Sequence, residues 1–286
     1  MGGEGAVGAR AVTISGATTA PVGALIVIPG LTDGPESLAY GASEGSALSR
    51  ACEERRWALV RFELSSSYDR YGTCTLDDDA RDIDAVIAHV MSTRPSAREI
   101  ALLGHSTGCQ SICHFIARGY ETSKAVKRVV LQAGVSDRDW YEKDAGREAM
   151  AQAIERAEAM APDELMPKET PGTYGVATTA RRFLSLAKPG GDDDWFSLDL
   201  FDGTREDASK IPRLTGCAHV DVRLVVSTLD EYVPYDASTV LAHAERVRTS
   251  FERVSKSARA HFIAANHDLS DMREEDVPGF VEFVFT

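Results

Sequence analysis

The stretch Glu99-Ile100-Ala101-Leu102-Leu103-Gly104-His105-Ser106-Thr107-Gly108-Cys109 decides the architecture, because its hydrophobic period changes in mid-run. Up to Leu103 it is a short unbroken apolar run, the mark of a strand buried on both faces. From Cys109 onward the apolar positions are Cys109, Ile112, Cys113, Ile116 and Ala117, the spacing of an amphipathic helix. Gly104 to Gly108 fits Gly-x-Ser-x-Gly at the junction. A strand turning sharply into a helix strains the backbone of the central serine and lifts its hydroxyl clear of the sheet. Side chains at the two glycines would meet the adjoining strand and helix. The partial positive charge of the helix N-terminus lies beneath the hydroxyl. Ser106 is therefore a candidate nucleophile.

The same alternation runs outward in both directions. Ala24 to Ile28, Trp57 to Phe62, Val126 to Val135, Asp221 to Ser227 and Ala258 to Ala264 read as further core strands. Helices are expected over Ser43 to Arg56, Leu76 to Met91 and Val277 to Phe285. Strands alternating with helices predict an α/β domain with a mostly parallel central sheet flanked by helices, over residues 1–286. Residues 1–10 read as a flexible tail. Asp77, Asp78 and Asp79 open the second helix, where acids are favoured by the helix dipole.

One region breaks the alternation. Residues 136–212 hold no strand-like run, only a helical pattern from Glu142 to Met160 followed by Pro162, Pro167 and Pro171. This predicts a mostly helical cap inserted between two core strands. Its aromatics and its methionines (Met150, Met160, Met166) fit a substrate pocket and cap packing equally well.

A serine attacks only if a base takes its proton. Of the 7 histidines, His105 lies within the turn and is expected to point away from Ser106. His89, His114 and His243 fall in helical patterns, His219 precedes a strand, and His261 lies inside one. His267 follows directly on a C-terminal strand end, at the sheet edge where catalytic groups gather. It is the candidate base. Asp230, in the short loop Thr228 to Pro234, is the candidate acid that orients it. Glu231, next to it, and Asp137, after an earlier strand, are the rivals.

The order Ser106, Asp230, His267 is nucleophile, acid, base, and on these residues the chain resembles the α/β hydrolases from about Ala24 to the C-terminus. Asp230 to Pro234, as Asp-x-x-Val-Pro, is similar to many members. Pro29 to Gly34, Gly104 to Gln110, and Asn266 to Leu269 resemble a eukaryotic branch that includes fungal esterases acting on fusarinine-type hydroxamate siderophores. The resemblance implies an oxyanion hole formed by the backbone N–H groups of Leu31 and Thr107. Pro29 departs from the His-Gly found here in many relatives, but only backbone donors are needed. Asp33 would oppose an oxyanion, and in the turn Thr32 to Pro35 it is expected to face outward.

Composition narrows the chemistry further. A net charge of −13 disfavours nucleic acid and anionic membrane surfaces, and no apolar run reaches the roughly 20 residues of a membrane helix. The 5 cysteines are scattered and odd in number, which fits a reduced cytoplasmic setting. Cys109 and Cys113 fall on the apolar stripe of their helix and read as core residues, not as metal ligands. The expectation is a serine hydrolase acting on a small-molecule carboxylic ester, without cofactor or metal. The alternatives are a thioesterase, amidase, lactonase or haloperoxidase-like variant, and a non-catalytic ligand-binding protein on the same scaffold.

Overall fold

The computed structural model describes residues 3–7, 10–17, 19–36 and 46–286. The strands are β1 (Gly3–Val7), β2 (Arg10–Gly16), β3 (Gly23–Ile28), β4 (Trp57–Phe62), β5 (Glu99–His105), β6 (Val126–Gln132), β7 (Asp221–Ser227) and β8 (Ser257–Ile263). They form one eight-stranded sheet in the order β1-β2-β4-β3-β5-β6-β7-β8. β1 pairs with β2, and β2 with β4, antiparallel, while every other pair is parallel.

The helices are α1 (Ala47–Glu54), α2 (Leu76–Thr93), α3 (Thr107–Arg118), α4 (Asp137–Ala145), α5 (Arg147–Glu158), α6 (Ala180–Ala187), α7 (Ala237–Glu252) and α8 (Val277–Phe285). Alternate residues of β3 feed two cores. Ala24, Ile26 and Ile28 pack toward α2 and α3, whereas Leu25 and Val27 pack toward α1 and α8. Burial on both faces is the reason β3 shows no polar alternation in sequence.

Parallel strands joined through helices wind outward from β3 in both directions, since β4 lies on one side of it and β5 on the other. The crevice beyond the C-terminal ends of β3 and β5 is thus the switch point where such sheets receive ligands. It is also where Leu31 and Ser106 follow their strands.

Several expectations shift. The tail reading fails over Gly3–Val7, which pairs with β2 as an edge strand. Neither β1 nor β2 has a continuous apolar run, and a hairpin held by backbone pairing at the sheet edge needs none. Residues 43–45 of the first expected helix lie outside the described residues; the remainder begins at Ala47, capped by the Ser46 side chain. β6 ends at Gln132, three residues early, and α4 begins sooner than expected. The single pattern from Glu142 to Met160 is two helices, broken at Gly146, whose φ of 89° is a left-handed conformation glycine tolerates.

The insertion between β6 and β7 contains α4, α5 and α6 and no strand, only an isolated bridge between Leu165 and Thr179. It has an apolar cluster of its own, in which Met150, Met166, Phe183 and Leu186 are buried with Tyr71 and Tyr141. Trp195, Phe196 and Phe201 instead enter the main core.

The three acids at the start of α2 take different partners. Asp78 closes a capping box with Thr75. Asp77 pairs with Arg118 and His114. Asp79 is buried against Ser66 and Ser111, and burial pushes its pKa up to about 7. Cys109 and Cys113 are buried in the main core, and desolvation raises both thiols well above their usual range. Among the described residues no helix is long and apolar enough to cross a membrane.

Candidate active site

Ser106 sits between β5 and α3 with φ 52° and ψ −126°, a conformation that costs a side-chain-bearing residue energy and is held by what surrounds it. Its amide donates to the Gln132 carbonyl on the neighbouring strand, and its own carbonyl accepts from Cys109 at 2.9 Å. The turn closes tightly. A Cβ at Gly108 would collide with the Ile28 carbonyl and stand 2.8 Å from that of Pro29, so α3 can approach β3 this closely only without a side chain there.

His267 and Asp230 meet as expected. His267 Nδ1 donates to Asp230 Oδ2 at 2.7 Å, with both side chains buried. With Nδ1 protonated, Nε2 is the basic nitrogen. The second oxygen of Asp230 accepts from the Tyr232 amide at 2.9 Å. Glu231, one rival acid, accepts from the His267 backbone N–H at 2.9 Å and not from the ring. Asp137, the other rival, lines the same cleft as Ser106 and His267, but its hydrogen-bond partner is Gln110 Nε2 at 3.3 Å. The loop after β7 therefore fixes His267 by three contacts. Asp230 takes the ring nitrogen, Glu231 takes the backbone, and the Tyr232 ring lies edge-on with centroids 4.8 Å apart.

Two features were not legible in the sequence. The side chain of Gln132, at the end of β6, accepts from His105 Nδ1 at 2.5 Å and donates to the His267 carbonyl at 2.8 Å. Nothing in the pattern of an apolar strand marks its last residue as a brace; its polarity at a fully buried position is the only sign. His105 itself is not turned away from the site. It lines the cleft, and its ring centroid lies 4.8 Å from that of His267. Desolvation, with the His267 charge second, lowers its pKa to about 3, so it is neutral near pH 7.

Asp33 is a further correction. It does not face outward: its carboxylate accepts from the Gly30 N–H at 3.2 Å and stands 3.8 Å from His105 Nε2. The tight turn folds the side chain back onto its own loop, an Asx-type contact that competes with solvent. Among the described residues the N–H groups of Leu31 and Thr107 have no acceptor, and both residues border Ser106 at the switch point.

Ser106, His105 and His267 open onto a cleft of about 510 Å³. One wall comes from the Leu31–Asp33 loop and the other from the insertion, through Ser136, Asp137, Trp140, Tyr141, Tyr174 and Val176. Met150 and Met166 are buried in the insertion's own cluster, so among these side chains packing takes the methionines and the cleft takes the aromatics.

A mostly parallel sheet of this order, with a serine at the strained turn after β5 and helices on both faces, is the fold of the α/β hydrolases. The chain belongs to the family described as "Protein of unknown function (DUF1749)", whose model matches residues 7–284. It is 28% identical over 239 residues to a UPF0613 protein of Schizosaccharomyces pombe, covering 79% of this chain and 73% of that one. It is 28% identical over 276 residues to the fusarinine C esterase sidJ of Aspergillus fumigatus, covering 79% and 76%. The siderophore hydrolase EstB of the same fungus superposes with a TM-score of 0.72 at 24% identity, over 99% of this chain and 96% of that one. Est1E of Butyrivibrio proteoclasticus does so with a TM-score of 0.57 at 17% identity, over 99% and 95%.

Proposed function

We propose that the protein is a serine hydrolase of carboxylic esters in which Ser106 is the nucleophile, His267 the general base and Asp230 the acid that orients it. The observation that carries this reading is the 2.7 Å contact between His267 Nδ1 and buried Asp230 in the cleft that also exposes strained Ser106. His267 Nε2 takes the Ser106 proton as Oγ attacks the acyl carbon, and Asp230 stabilises the imidazolium that forms. The tetrahedral oxyanion is met by the N–H groups of Leu31 and Thr107. The C–O bond to the alcohol breaks as His267 returns the proton to it, leaving an acyl-enzyme. Water then attacks the acyl carbon as His267 takes its proton, and the bond to Ser106 Oγ breaks as His267 returns that proton to Oγ, releasing the carboxylic acid.

Residues 136–212 act as a cap over the site within a single hydrolase domain. The reading is supported by the six side chains or backbone segments they contribute to the cleft wall. Kinship to named fungal esterases makes hydroxamate siderophore esters the first natural candidates, with simple acyl esters as controls. The test is hydrolysis of an ester panel by the wild-type protein and by Ser106→Ala. Turnover that disappears in the variant supports the reading, and turnover that survives it places the chemistry elsewhere.

A further inference from the structure

The cleft is one-sided in charge. The carboxylates of Asp33, Asp137, Glu231 and Asp268 line it, and among the described residues no lysine or arginine does. The other wall is aromatic: Tyr71, Trp140, Tyr141, Tyr174 and Tyr232 line it, with Trp140 and Tyr232 meeting edge to face at 5.2 Å. Carboxylates set among aromatic faces attract an organic cation by charge and by ring quadrupole together.

Three of the carboxylates have local tasks. Asp33 accepts from the Gly30 N–H, Glu231 from His267 and Asp268 from the Ser270 amide. Asp137 differs. At the first position of α4 its carboxylate has, besides its own backbone N–H, one long side-chain contact among the described residues, from Gln110 Nε2 at 3.3 Å, and no ion pair with them. Arg182, the buried cation that acts on it, is engaged by Asp193 at 2.5 Å and by the Tyr71 carbonyl at 3.0 Å. Beside Asp137 the Tyr141 hydroxyl is buried without a hydrogen-bond partner among the described residues, although Tyr141 also borders the cleft. A buried phenol normally finds a partner. A carboxyl and a phenol left under-used beside Ser106 describe half of a polar contact.

We propose that the cleft is built for an ester that carries a positively charged ammonium group, and that Asp137 is the carboxyl that receives it, with Tyr141 beside it. The proposal rests on the ester-hydrolase reading of the same cleft. A substrate ammonium donates to the Asp137 carboxylate while its alkyl chain lies against Trp140 and Tyr232. Asp137 then sets specificity, and the proton transfers of the reaction remain with His267.

The protonation of Asp137 gives a second handle. Burial, with the neighbouring Asp193 charge, pushes it up to about 7 against the opposing pull of Arg182 and His267, while Tyr71 and Tyr141 also face it. Neutral Asp137 at low pH attracts a cation poorly, so preference for a cationic ester rises as pH rises through about 7.

The experiment compares kcat/KM within two matched pairs. Ethyl 6-aminohexanoate is set against ethyl heptanoate, and acetylcholine against 3,3-dimethylbutyl acetate. At pH 8 the cationic member of at least one pair is expected to be favoured about tenfold or more, as for a hydrogen bond to a charged group. The ratio should fall about tenfold in Asp137→Asn and should decline in the wild type between pH 8 and pH 6. Preference for the neutral member of both pairs overturns the proposal. So does a cation preference that neither Asp137→Asn nor pH changes. Calorimetric binding of the same compounds to Ser106→Ala needs no turnover. Cation-selective binding without cleavage in the wild type would fault the hydrolase reading alone, and cleavage without selectivity would fault only this one.

Discussion

The loop Thr228 to Pro234 and the insertion 136–212 border the same cleft and are built in opposite ways. The first is short and follows directly from β7, so its position is dictated by the sheet register. It spends Asp230, Glu231 and Tyr232 on holding His267. The second is long and strandless, held partly by a cluster of Met150, Met166 and Phe183 that also takes in Tyr71, and partly by Trp195, Phe196 and Phe201 in the main core. Among the described residues it lines the cleft through the start of its first helix and the loop at Tyr174 and Val176. The difference teaches a division of labour. In the proposed mechanism the groups that move protons sit on chain tied to the sheet, where fractions of an ångström count. The groups proposed to select what enters sit on a segment packed partly on a second cluster, which tolerates more variation.

The comparison can be broken at four points. If the sheet edge holds the chemistry, Ser106→Ala should lower ester turnover by about 10⁶-fold with the fold intact, measured by steady-state kinetics beside circular dichroism. Asp230→Asn should cost about 10⁴-fold, because the imidazole loses its orienting partner, whereas Asp137→Asn should act mainly through substrate selectivity. The reverse ranking would move the acid onto the insertion. Met150→Ala should destabilise by about 2–5 kcal/mol through the cavity it leaves, read by urea unfolding. If the insertion packs separately, that loss should appear as its own early transition, while a single cooperative transition would join it to the body.

The smallest effect lies at the seam between the two regions. Asp79, on α2, is buried near Arg182 of the insertion, and its folded pKa of about 7 exceeds the usual carboxylate value. The folded state therefore holds that proton more tightly than the unfolded chain, so its contribution to stability falls as pH rises from about 4 to about 7. Asp79→Asn should gain on the wild type by at most about 1.4 kcal/mol per pH unit over that window. Denaturant titrations at pH 5 and pH 8 measure it, and a difference independent of pH would contradict the burial argument.

The same division explains what could be read in advance. β3, β4, β5 and β7 were legible because burial on both faces leaves unbroken apolar runs, and Gly104 to Gly108 because a sharp turn requires particular residues. His267 and Asp230 followed from strand ends alone, since the C-terminal edge of a parallel sheet admits few candidates. The rest depends on long-range packing. Gln132 closes an apolar strand yet braces His105 and His267 through side-chain bonds that leave no periodic mark. β1 and β2 pair through their backbones at the sheet edge, where apolar runs are not required. Asp33 folds back on its own turn, and the break at Gly146 interrupts a pattern that reads as continuous.

The central claim is that the fold activates Ser106. Incubation with a fluorophosphonate probe, followed by peptide mass spectrometry, tests it most directly. The account predicts a single phosphonyl adduct on Ser106, absent from Ser106→Ala and strongly slowed in His267→Ala. A folded wild-type protein that forms no adduct, or one that carries it on another residue, would contradict the account.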